Sequence, residues 1–255
     1  MAATLAIPNC KLDIVPEAII KEAFCGCNRK WKRNEQPQIL NLTQNQFVRL
    51  LLSMLITINQ QNPPLRLIHQ VVEILKKGGI VIYPTDTYYG MGCDIMNKKA
   101  IEKIYQLKQR NKSIPFSFIC SGLKNISDYA KVSNYAYKTM KRLLPGPYTF
   151  ILEGSRLVPK IMLTKRKTAG IRVPDNPICL ALVNELENPL LTTSATMPDG
   201  TIFHDASLIH DFFGNRVDAV VDGSIVPGQP SSVISLIDDI PEVIRKGIGD
   251  VSLFE

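Results

Sequence analysis

Residues 65–92 read LRLIHQVVEILKKGGIVIYPTDTYYGMG, and their patterning decides the fold. Leu65, Ile68, Val71, Val72 and Leu75 recur at helical spacing, which puts an apolar stripe along one amphipathic helix. Gly78 and Gly79 follow it, and glycine past a helix end closes the last turn. Ile80, Val81, Ile82 and Tyr83 are a short β-branched run, as expected of a buried strand. Helix, glycine stop and strand make one α/β step. The strand then runs through Pro84 into Thr85-Asp86-Thr87-Tyr88-Tyr89 and the spaced Gly90 and Gly92. Ligands bind at strand ends in open α/β sheets. Hydroxyls there suit a small polar group, although GxG alone also reads as a structural turn.

Outward from this step the alternation continues. Helices are expected over Lys98–Arg110, Ser127–Leu143, Ile178–Leu186 and Asp205–Phe213, the last capped by Gly214. Strands are expected over Pro115–Cys120, Tyr148–Glu153, Thr168–Val173, Leu190–Ser194, Ala219–Asp222, Ser232–Ile237 and Pro241–Arg245, with a turn at Pro145-Gly146-Pro147. Alternation followed by clustered strands predicts an α/β protein with a twisted, open, mixed sheet flanked by helices. Residues 63–255 form the expected domain. Residues 1–62, with Cys25-Gly26-Cys27 and the run Arg29-Lys30-Trp31-Lys32-Arg33, form a basic N-terminal extension.

The chain has 255 residues and a formal net charge of +7. Charge is unevenly distributed: Lys98 to Arg172 holds 17 Lys/Arg against 3 Asp/Glu, whereas Val173 to Glu255 holds 3 against 13. The two halves can neutralise one another, or the basic middle can focus a positive field on a polyanion such as ATP or RNA. No apolar run approaches the roughly 20 residues of a membrane span; the longest candidate, Leu50 to Ile58, is interrupted by Ser53 and Thr57. The expectation is a soluble, cytoplasmic protein. The six cysteines, Cys10, Cys25, Cys27, Cys93, Cys120 and Cys179, and the three histidines show no zinc-ligand spacing, so no metal site is expected.

Six segments could carry chemistry. They are the hydroxyl-rich strand end at Thr85 and Thr87, the pair Lys108 and Arg110, Gly170-Ile171-Arg172-Val173-Pro174, Thr192-Thr193-Ser194-Ala195-Thr196, Pro230-Ser231-Ser232-Val233, and Ile244-Arg245-Lys246-Gly247. Arg172 lies in a run of strand formers, so it either faces solvent or lines a polar cleft. Lys108 and Arg110 could grip phosphates, or answer a helix C-terminus. The chain has no GxxxxGK[ST] loop, no GxGxxG opening a helix, no GxSxG elbow and no HExxH, which disfavours common kinase, dinucleotide-binding and hydrolase readings.

In order, YPTDTYYGMG, LKQR, PGPYTFIL, GIRVP, TTSAT, PSSV and IRKG resemble the YrdC/YciO family over about residues 63–254. NPPLRLIHQ, KRKTAGIRVP and IRKGIGDVSLF resemble its YciO branch most. The resemblance implies a YrdC-like sheet with a concave positive cleft that binds ATP and double-stranded RNA. In the catalytic branch, L-threonine, bicarbonate and ATP give threonylcarbamoyl-AMP and pyrophosphate, for modification of adenosine 37 in tRNA. Carried over by motif, Thr85, Thr87, Arg172 and Ser231 would bind threonine. Lys108, Arg110, Ser194, Thr196 and Arg245 would bind ATP and its phosphates. Mg²⁺ would accompany the nucleotide, and no protein nucleophile is implied. Two departures bear on catalysis: Thr196 stands where the S-x-N motif has asparagine, and Ile119 stands near the family's usual histidine. Both fit the YciO branch, and a non-catalytic RNA- or nucleotide-binding module is the alternative.

Met54 opens a stretch that runs smoothly into the domain, and it is the expected start of the native product. Intact-mass analysis of the native protein checks this: a product beginning at Met54 is expected, and a full-length species contradicts it.

Overall fold

A computed structural model describes residues 54–111, 113–196, 200–223 and 225–254. In the strand β2 (Val81–Tyr83) the side chains alternate between two cores: Val81 and Tyr83 point to one, Ile82 to the other, as the period of two requires. β2 lies third in the sheet, between β3, which follows it closely in sequence, and β8, from a distant part of the chain. With β1 (Met54–Thr57), β3 (Gly90–Gly92), β4 (Ser117–Ile119), β5 (Tyr148–Glu153), β6 (Thr168–Arg172), β7 (Leu190–Ser194), β8 (Ala219–Asp222), β9 (Ser232–Ser235) and β10 (Glu242–Arg245), it forms a sheet ordered β1-β8-β2-β3-β7-β4-β6-β5-β9-β10. Parallel pairs (β1/β8, β8/β2, β4/β6, β5/β9) mix with antiparallel ones (β2/β3, β3/β7, β7/β4, β6/β5, β9/β10). The mixed α/β sheet expected from the sequence is what forms.

Both faces are covered. On one side lie α1 (Leu65–Lys76) and α5 (Pro177–Leu186), whose Ile68, Val71, Val72, Leu75, Ile178, Leu182 and Leu186 are buried against β2 and β8. On the other lie α2 (Lys98–Leu107), α3 (Leu123–Tyr129), α4 (Asn134–Leu143) and α6 (Ala206–Phe213), packed through Ile101, Ile104, Ile126, Met140 and Ile209. Leu65, expected on the apolar stripe of α1, is exposed at its first position. Gly78 closes α1 at φ +80°, as its place in the sequence predicts.

Four expectations shift. The sheet starts ahead of the expected boundary at 62/63, because Met54–Thr57 pairs in parallel with β8 and Ile56 and Ile58 are buried. The rest of the expected extension, residues 1–53, lies outside the described residues. The helix expected over Ser127–Leu143 is two helices. Ala130 is extended and bridges Gly154, the Lys131 amide donates to the Glu153 carbonyl at 2.8 Å, and Ser133 caps the second helix. Strand pairing at the end of β5 thus takes residues a continuous helix would need. The helix expected to reach Arg110 stops at Leu107, since Gln109 adopts φ +47°. Gly90-Met91-Gly92, which also reads as a turn, is a buried strand beside β2.

Glycine is needed at 92 for space. A Cβ there would overlap the Leu191 carbonyl oxygen and press on the Tyr83 hydroxyl, which itself donates to that oxygen at 3.2 Å. Gly92→Ala is therefore expected to cost about 3 kcal/mol, the upper end of overpacking. Urea unfolding of the two proteins checks this, and an unchanged midpoint would contradict the close approach.

Candidate active site

The ends of β2, β6, β7, β9 and β10 converge on a pocket of about 400 Å³. Seven of the nine sequence-predicted residues line it: Thr85, Thr87, Arg110, Arg172, Ser194, Ser231 and Arg245. Lys108 and Thr196 are not among the lining residues. Three guanidinium groups and no carboxylate line this space, and one of the three, Arg172, is paired with Asp86 just outside it.

Arg172 ends β6 and is 9% exposed. Of the two readings the sequence left open, solvent or polar cleft, the cleft is correct. Its Nη2 donates to Asp86 Oδ1 at 2.7 Å and to Thr87 Oγ1 at 3.0 Å. Asp86 Oδ2 accepts from the Asp175 amide at 3.0 Å. One carboxylate therefore joins the loop after β2 to the loop after β6. The Arg172 Nε is buried and has no partner. An unsatisfied donor on a buried cation is costly. Burial lifts the Asp86 carboxyl above its usual value, against the pull of Arg172 and of the Asp175 amide. Beside the pair, Thr85 Oγ1 and Thr87 Oγ1 lie 3.0 Å apart, Thr85 Oγ1 donates to the Tyr88 carbonyl at 2.5 Å, and the Thr87 amide donates to Thr85 Oγ1 at 3.1 Å. This loop is preset rather than loose.

Across the pocket Arg245 ends β10 and wraps the start of β9. Its Nε and Nη2 donate to the Ser231 carbonyl at 3.0 and 2.8 Å, and Nη2 reaches Ser231 Oγ at 3.1 Å. Ser231 Oγ in turn lies 2.9 Å from Thr149 Oγ1 on β5. Gly247 permits this approach, because a Cβ there would overlap the Pro230 carbonyl oxygen. Burial lowers the Arg245 pKa, yet an arginine stays charged at any physiological pH.

Lys108 and Arg110 diverge, because the left-handed Gln109 lies between them. Arg110 stays at the pocket, its Nε donating to the Ile114 carbonyl at 3.1 Å and its guanidinium lying 4.8 Å from the Phe116 ring centre. Lys108 turns to the Ser-x-Thr segment. Its Nζ donates to the Ser194 carbonyl at 3.1 Å, the Thr196 carbonyl at 3.0 Å and Thr196 Oγ1 at 3.2 Å. Burial, then the charge of Arg110, lowers its pKa. The departure at 196 is thus a contact of Lys108.

Asp86 and Thr149 were given no role by sequence reasoning. Thr149 was legible: in Tyr148–Glu153, Tyr148, Phe150 and Leu152 join one core, which turns Thr149 the other way. Asp86 sits between two threonines at a strand end, and only the fold shows that its partner is 86 residues away. No group of three or more His, Cys, Asp or Glu side chains is placed to hold a metal among the described residues. No helix there is long and apolar enough to cross a membrane.

The sheet is YrdC-like, with a pocket at its strand ends. The Sua5/YciO/YrdC family model, described as Telomere recombination, matches residues 73–247. Escherichia coli YciO is 43% identical over 199 residues, covering 77% of this chain and 97% of its own. Its crystal structure superposes with a TM-score of 0.75 over 80% of this chain. The threonylcarbamoyl-AMP synthase of Vibrio vulnificus is 30% identical over 161 residues, which is 62% of this chain and 87% of that one. P. abyssi Sua5 complexed with L-threonine gives a TM-score of 0.72 at 25% identity, over 76% of this chain and 58% of that one. The chain belongs to the Sua5/YciO/YrdC family.

Removing Asp86 leaves Arg172 buried without its counter-charge, so Asp86→Ala is expected to destabilise by about 3–5 kcal/mol. The raised carboxyl also has a pH signature. Folding takes up a proton at Asp86 between its ordinary pKa of 3.8 and the raised one. Its contribution is full below 3.8 and declines as pH rises through the raised value. Urea midpoints measured against pH check this: Asp86→Asn removes the decline, and parallel profiles would contradict it.

Proposed function

We propose that the pocket binds ATP, L-threonine and bicarbonate and joins them as threonylcarbamoyl-AMP, releasing pyrophosphate, for tRNA modification. The observation that carries this reading is Arg172, a buried cation lining the pocket and paired with Asp86, set among hydroxyls and two further arginines. The similarity to a threonylcarbamoyl-AMP synthase and to a Sua5 structure holding L-threonine supports it.

The chemistry asks little covalent work of the protein. The threonine amine adds to bicarbonate, water leaves, and the resulting carbamate oxygen attacks the α-phosphorus while pyrophosphate departs. Rate then comes from holding carbamate and phosphate in line and from neutralising charge on the leaving group. In this reading the Arg172 guanidinium takes the threonine carboxylate, with Thr85, Thr87 and Ser231 around the amino acid. Arg110, Arg245 and Ser194 face the nucleotide. Lys108 and Thr196 hold the wall behind Ser194, and Lys108 reaches a phosphate only by leaving its three present acceptors. Mg²⁺ fits as an ion carried by the phosphates, since it commonly keeps its waters and is bound through substrate phosphates, and no protein cage exists among the described residues.

The engagement of Lys108 by Thr196 favours the second reading, a module that binds a nucleotide or RNA without catalysis. Pyrophosphate release from ATP separates the two. The synthase reading expects release that requires both L-threonine and bicarbonate, and a fall of at least about 100-fold in Arg172→Ala, consistent with loss of a charged positioning contact. No release, with ATP or RNA still bound, would overturn it.

A further inference from the structure

Lys165, Arg166 and Lys167 are consecutive and exposed, and the proposed reaction uses none of them. They form the turn between Thr164 and Thr168, both of which line the pocket. The turn is clasped tightly. The Thr164 amide donates to the Thr168 carbonyl at 3.0 Å, the Lys167 amide to the Thr164 carbonyl at 2.9 Å, and the Thr168 amide to Thr164 Oγ1 at 3.0 Å. The two hydroxyls meet at 2.7 Å, and the Gly154 amide donates to the Lys167 carbonyl at 2.8 Å. Lys167 holds φ +60°, a conformation glycine adopts freely and other residues resist.

No hydrogen bond or ion pair engages these three head groups among the described residues. Glu153, which pairs with Thr168 across the strands, is bound by Lys131 at 2.6 Å. Three adjacent cations without an acid repel one another, and a compact polyanion relieves that repulsion. An extended nucleic acid would need cations distributed along its track, whereas these sit together on one turn whose flanking threonines line a pocket of small-ligand size.

We infer that the Thr164–Thr168 turn is an anion site at the pocket rim that grips the terminal phosphates of a nucleoside triphosphate whose remainder lies in the pocket. This rests on the nucleotide reading of the pocket. Calorimetric titration of ATP and AMP into the full chain and into its Lys165→Ala, Arg166→Ala, Lys167→Ala triple variant tests it, with circular dichroism confirming the fold of the variant. The expected result is ATP binding weakened about tenfold, in line with a few exposed ion pairs, with AMP binding unchanged. Equal affinities in the two proteins, or an equal fall for ATP and AMP, would overturn the rim site and leave the nucleotide reading standing. Failure of the unmodified protein to bind either nucleotide would overturn both. A loss confined to a duplex RNA probe would overturn the site in favour of a nucleic-acid track.

Discussion

The ion pair between Arg172 and Asp86 is the constraint on which the site depends. Asp86 belongs to the loop that follows β2 and Arg172 is the last residue of β6, strands well separated in the sheet order. Burial makes the pair demanding: each charge is desolvated, and the geometry must return that cost through hydrogen bonds. Thr87 and the Asp175 amide supply two of them. The buried Nε of Arg172 has no partner.

Around that pair the sheet supplies rigidity and the loops supply polarity. Two cores, one per face, hold the strands, so the groups at the strand ends are positioned by packing that the ligand need not provide. Gly247 lets β10 approach Ser231, and Arg245 then spans the gap with three hydrogen bonds. Cations fixed in this way need little reorganisation when charge develops, which is the property an adenylating site requires.

Much of this was legible in the sequence, for physical reasons. Helical period in Ile68 to Leu75 and the β-branched run Ile80–Tyr83 report burial directly, and both elements form as read. Motifs at strand ends pointed to seven residues that meet in one pocket. Legibility ended where partners are far apart in the chain. The break at Ala130 depends on pairing with Gly154, and the strand character of Gly90–Gly92 depends on β2 and β7. The divergence of Lys108 from Arg110 depends on the backbone of Gln109, and the role of Asp86 depends on Arg172. Local pattern carries none of these four.

In the synthase reading, Arg172 holds the carboxylate of an amino acid. Calorimetric titration of L-threonine into the protein and into Arg172→Ala tests it most directly. Saturable binding that disappears in the variant, with the variant still folded, is the predicted result. Undiminished threonine binding in Arg172→Ala would contradict it.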